Sequence, residues 1–132
     1  MVSSKIIVEW TEAAERDLKI AQEDENKKDR YEYVGFHCQQ AAEKFLKAYT
    51  VAWGLEFLKT HDLEVLLNIC IKKDPEFEKL RENCRLLTPY YIATRYPDFE
   101  EKPNLKKQKI TEALRHAREI AKLIRQKIET RF

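Results

Sequence analysis

Apolar side chains recur along this chain at spacings of three and four residues and nowhere alternate with polar ones over a strand's length, which predicts helices throughout. Ile7, Trp10, Ala14, Leu18 and Ala21 share one face, so a first helix runs from about Ile7 or Trp10 to about Glu25. Asn26-Lys27-Lys28-Asp29 reads as the turn that follows. Val34, Cys38, Ala41, Phe45, Ala48 and Ala52 form the stripe of a longer second helix, from about Tyr31 to Trp53. Gly54 then stands where a left-handed C-cap is needed. Gly35, inside that helix, costs about 1 kcal/mol relative to Ala and marks the close approach of a neighbouring backbone.

A shorter third helix is predicted from Asp62 to Lys72, with Leu63, Leu66, Leu67 and Cys70 inward and Thr60 or His61 at its entry. Asp74-Pro75 opens a fourth, with Asp as cap and Pro in the first turn. It runs past Leu80, Cys84 and Leu87 and must bend or end near Pro89, which has no N–H to give. After a polar connection from Asp98 to Asn104, a fifth helix spans about Leu105 to Thr130. Its stripe is Ile110, Ala113, Leu114, Ala117, Ile120, Ala121, Ile124 and Ile128. The fold class is therefore all-α, a five-helix up-and-down antiparallel bundle, with residues 1–132 as a single helical domain.

Two Gly and four Pro in 132 residues leave few turns, as such a bundle requires. No apolar run approaches the roughly 20 residues that cross a bilayer, and the N-terminus carries no signal-peptide pattern. A cytoplasmic protein with no membrane association is expected. Cys38, Cys70 and Cys84 are odd in number, lack C-x-x-C spacing and fall on apolar stripes, so buried free thiols are expected. The net charge of +2 is unevenly spread, with acidic residues in excess from Glu9 to Glu32 and basic ones from Leu105 to Phe132. These segments either neutralise each other by packing side by side or leave the last helix to meet an anionic partner.

The second helix carries a polar stripe beside its apolar one: His37, Gln40, Lys44 and Lys47, at i, i+3, i+7 and i+10. Lys44 and Lys47 suit phosphate, while Gln40 and His37 can read a base edge or a ribose. The bland alternative is a solvated face with Glu43 and Lys47 as an i, i+4 ion pair. Arg95 is the other candidate. It follows a helix break among Tyr90, Tyr91 and Tyr96; its guanidinium can hold a phosphate through two parallel hydrogen bonds, and Tyr91 or Tyr96 can stack on a ring. His61 and Asp62 point about 100° apart on a helix and form no dyad, so His61 is expected in a cap or an interhelical hydrogen bond. His116, beside Arg115, is expected at the surface. No metal-ligand spacing, Gly-rich phosphate loop or hydrolase motif occurs, so no metal and no cofactor are expected.

The run from Phe36 to Tyr49 (FHCQQAAEKFLKAY), Lys59-Thr60-His61-Asp62-Leu63, and Tyr90 to Asp98 (YYIATRYPD) occur in an order that resembles the HEPN family of small helical domains. The resemblance extends from Trp10 and Asp17-Leu18 through the closing helix. It implies a homodimer and a noncatalytic protein that binds a nucleotide or another phosphate-bearing ligand beside a separate minimal nucleotidyltransferase, with toxin–antitoxin pairing as one setting. Arg95 and Lys44 would then hold phosphate. Nuclease members carry Arg, four to six residues, then His. Arg30 and His37 have that spacing but lie early in the chain, whereas Arg95, Arg115 and Arg118 have no His at the required distance. A metal-independent RNase using Arg30 and His37 is the alternative, and a pure protein-interaction module is the third.

Overall fold

The computed structural model describes residues 4–95 and 105–131, with the side chains of all but 93–95 and 130–131 among them. The expected all-α bundle is what the chain forms. Its helices are α1 (Ser4–Glu23), α2 (Tyr31–Ala52), α3 (Leu63–Lys73), α4 (Arg81–Leu87), α5 (Pro89–Arg95) and α6 (Lys107–Arg131). Short 3-10 turns at Lys28–Arg30 and Pro75–Leu80 lead into α2 and α4.

The central helix is α2, which packs against α1, α3, α5 and α6 and is buried on most of its circumference. It ends in a Schellman arrangement: the Gly54 N–H reaches Val51 O at 3.2 Å and the Leu55 N–H reaches Thr50 O at 2.8 Å. Gly54 takes φ +64°, so glycine is the residue that suits this stop. At α3 the cap is Asp62, which accepts from the Glu64 and Val65 N–H groups, while Thr60 Oγ1 accepts from the Asp62 N–H.

The fourth predicted helix is broken at Thr88-Pro89 into α4 and α5, as the proline demands. Thr88 ties the break to the rest of the bundle, donating to Cys84 O at 2.9 Å and accepting the Leu63 N–H at 3.2 Å. The bend lays α5 across α2, with Tyr90 over Gly35. A Cβ on Gly35 would lie 2.2 Å from Tyr90 Cδ1, so the close approach there is an aromatic side chain rather than the expected backbone. Tyr90, Cys38, Cys84, Leu114 and Ala117 belong to one continuous core. All three cysteines are free and buried, and burial raises their thiols to about 12.

One expectation needs adjustment, and one pair of alternatives is decided. His116 is not at the surface; it is 5% exposed and its Nδ1 lies 2.9 Å from Asn83 Nδ2 on α4. Its spacing explains this, since His116 sits between Ala113 and Ile120 on the side of the apolar stripe that α4 covers. The acidic and basic helices meet directly. Arg125 makes a two-point hydrogen bond with Glu15, and Lys107 lies 3.4 Å from Glu25.

Candidate functional site

Asp17 is a carboxylate on the apolar face of α1, among Ala14, Leu18 and Ala21, and only 7% exposed. A charge placed there needs partners, and α2 supplies two. His37 Nδ1 lies 2.8 Å from Asp17 Oδ1, and Lys44 Nζ donates to Oδ2 at 2.6 Å. Burial pushes the Asp17 carboxyl up, but the hydrogen bonds and charges of His37 and Lys44 together outweigh it and hold the group below its ordinary value.

The same arrangement recurs further along α2. Glu43, 4% exposed, accepts from Lys47 Nζ at 2.9 Å and meets His61 Nδ1 at 2.8 Å. Gln39 donates to His61 O at 3.0 Å and fixes the end of the 54–62 connection on α2, while Gln40 donates to Gln39 Oε1 at 2.8 Å. Lys47 lies 5.9 Å from the Trp10 ring centroid and 5.8 Å from that of Phe57, so its ammonium is enclosed by aromatic faces as well as by Glu43.

A carboxylate facing Nδ1 can only accept, so both imidazoles carry a proton there and turn Nε2 the other way. Neither Nε2 has a hydrogen bond among the described residues. The two rings are joined by an aromatic arc. His61 stacks on Tyr91 at 3.9 Å and 18°, Tyr91 lies over Phe36 at 5.9 Å and 30°, and Phe36 meets His37 edge-on at 5.6 Å. The site therefore gathers four rings, with two imidazole nitrogens able to donate or accept.

Of the predicted stripe, His37 and Lys44 turn to Asp17 of α1, Lys47 turns to Glu43 between the Trp10 and Phe57 rings, and Gln40 bonds to Gln39 and Glu43 of its own helix. Each lysine is already committed to a carboxylate, and Lys47 is 7% exposed. Tyr96 and the Arg95 side chain lie outside the described residues. Arg30 turns to Asp24, at 3.4 Å, and to the Tyr33 ring, at 4.5 Å. Asp17, Phe36 and Gln39 carry no motif of their own; Glu43 makes the i, i+4 ion pair with Lys47 that its spacing predicts but also anchors His61, which makes the structural hydrogen bond expected of it. The signal for Asp17 was a charge at a core position of an otherwise apolar face. Among the described residues no three His, Cys, Asp or Glu side chains group as a metal site, and no helix is long and apolar enough to cross a membrane.

Residues 7–127 match the family model described as HEPN domain. The crystal structure of TT1696 from Thermus thermophilus is similar, with a TM-score of 0.77 and 32% identity over 92% of this chain and 97% of that one. The structure of ST0689, an archaeal HEPN homologue, gives 0.74 and 26% over the same shares. No curated protein matches the chain.

Proposed function

Since the chain belongs to the HEPN domain family, we propose that it is a noncatalytic, cytoplasmic accessory subunit, a single-domain homodimer that binds a nucleotide beside a separate minimal nucleotidyltransferase. The base would lie against the Tyr91–His61 stack, with Gln40 and the His37 Nε2 turned to its edge or to the ribose. The phosphates would extend toward Arg95 and Lys44, with Tyr96 beside them, while Lys47 holds Glu43 in position. The partner would supply the metal carboxylates and perform the transfer.

One observation carries this reading: an aromatic arc that ends in two imidazoles, each anchored through Nδ1 by a buried carboxylate and each with Nε2 turned away from it. Fixed rings cost little to order on binding, and stacking with a few placed polar groups is how a small planar ligand is held. Calorimetric titration with nucleoside mono- and triphosphates tests it. Saturable binding that is lost in His61→Ala and Arg95→Ala is expected; silence across the panel overturns the reading and leaves a protein-interaction module.

A second reading is favoured by the same anchored histidines, since a carboxylate behind an imidazole also suits a general base. In that case His37 would act on RNA without a metal. Arg30, held by Asp24 and Tyr33, would have to leave both to clamp a phosphate in the same site. Cleavage of single-stranded RNA in chelator, abolished by His37→Ala, would support this reading, and intact RNA after long incubation would remove it.

A further inference from the structure

Away from the His37 and His61 site, a cleft of about 470 Å³ runs between α1 and α6. Glu15, Leu18, Lys19 and Gln22 of α1 face Arg118, Lys122 and Arg125 of α6. The spacings i, i+3, i+4, i+7 and i, i+4, i+7 place each set on a single helix face. The cleft has Leu18 as its apolar residue and cations from both walls.

We propose that this cleft binds a small, multiply charged phosphate chain, free or carried on a nucleoside. The inference is independent of the site proposed above. Of the lining charges, Glu15 is consumed by Arg125, which grips it from two nitrogens. Lys122 has no carboxylate partner among the described residues. Arg118 and Lys19 have only distant ones, Glu25 and Glu23, each at 4.0 Å. Surface pairs at that separation contribute little and are readily exchanged for a better acceptor. Glu25 would stay neutralised after Arg118 turned away, because Lys107 lies closer to it, at 3.4 Å. One guanidinium and two ammonium groups can thus converge on an anion, a set suited to several phosphate oxygens rather than to one carboxylate.

The surroundings favour a short phosphate chain over a nucleic-acid strand. Glu23 and Glu25, which lie beside the lining residues Lys19 and Arg118, flank the cleft, so a long polyanion would run into carboxylates. Among the described residues no aromatic side chain lines the cleft to stack a base.

The test is calorimetric titration of the full chain with sodium tripolyphosphate. Saturable binding is expected, weakening as salt rises. It should fall about tenfold in Lys122→Gln and in Arg118→Gln, the loss of one charge-assisted contact each, and remain unchanged in Lys72→Gln, which removes an exposed cation of α3 outside the cleft. Thermal melting of each variant checks its folding, with Lys19→Gln as the replacement should one fail. The proposal is overturned by an absence of saturable binding, or by binding that both α6 variants leave intact. It is also overturned if a single-stranded oligonucleotide binds more tightly than tripolyphosphate with the same dependence on Lys122.

Discussion

The imidazole of His61 lies flat against the phenol ring of Tyr91, with centroids 3.9 Å apart and planes 18° from parallel. The two residues come from different parts of the chain and are held independently. Glu43 and the Gln39 amide fix His61 on α2, while the break at Pro89 brings Tyr91 across the same helix. A base added to this stack would gain the ordinary stacking energy of about 1–3 kcal/mol. Tyr91→Ala should therefore weaken nucleotide binding by about tenfold or more, and Tyr91→Phe should keep most of the affinity. Calorimetry on the two variants checks this; equal loss in both would mean that the hydroxyl, not the ring, matters.

Much of this architecture was legible from periodicity alone. The stripe from Ile110 to Ile128, the Gly54 stop and the Asp74 and Pro89 boundaries each have a local physical cause that one segment contains. The site was only half legible. His37, Gln40, Lys44, Lys47 and Tyr91 were found because they share a helix face or a motif. Asp17 was not, and of Glu43 only the ion pair with Lys47 was, because a carboxylate's further role depends on which element covers it. His116 illustrates the same limit: its neighbour Arg115 suggested solvent, and only the position of α4 shows that its own side chain is enclosed.

Asp17 is the hub that keeps two cationic or polar side chains of α2 in place, so its removal should be felt in stability as well as in binding. Asp17→Asn leaves Lys44 without a counter-charge in a partly buried position and should cost about 2–4 kcal/mol at neutral pH. The sign of the pH dependence follows from the lowered native value. The Asp17 contribution is fully present above the unfolded carboxyl value, near 3.9, and is lost as pH falls below it through the native value. Denaturant titrations should show an acid limb below about pH 4 that is shallower in Asp17→Asn than in the parent; identical limbs would remove Asp17 from that role.

Gly35 and Tyr90 make a second, purely steric prediction. Gly35→Ala would gain about 1 kcal/mol of helix propensity, yet the new methyl would meet Tyr90 Cδ1 at 2.2 Å. Overpacking of this kind typically costs about 1–3 kcal/mol, and displacing Tyr90 also disturbs the α5 segment that presents Tyr91. A net loss of about 1 kcal/mol or more is expected in Gly35→Ala. In the Tyr90→Ala background the same substitution should become neutral or stabilising. A double-mutant cycle in urea measures the coupling, and additivity would show that the ring moves aside without cost.

His116 should give the chain a separate dependence on mildly acidic pH. The Asn83 amide nitrogen lies 2.5 Å from a Glu119 oxygen, which can only accept, so the same nitrogen must also be the donor to His116 Nδ1 at 2.9 Å. His116 is therefore neutral and protonated on Nε2. Burial, with the Arg115 charge adding to it and nearby carboxylates opposing it, lowers its affinity for a second proton below the ordinary 6.5. The unfolded chain takes up that proton first, so the stability is fully present above about pH 6.5 and declines as pH falls from there toward the lowered native value. His116→Gln, which has no titrating ring, should flatten that part of the curve while leaving the steeper loss below pH 4 in place. Urea midpoints measured between pH 5 and pH 8 decide the matter: a slope in this range that survives His116→Gln unchanged would remove His116 as its source.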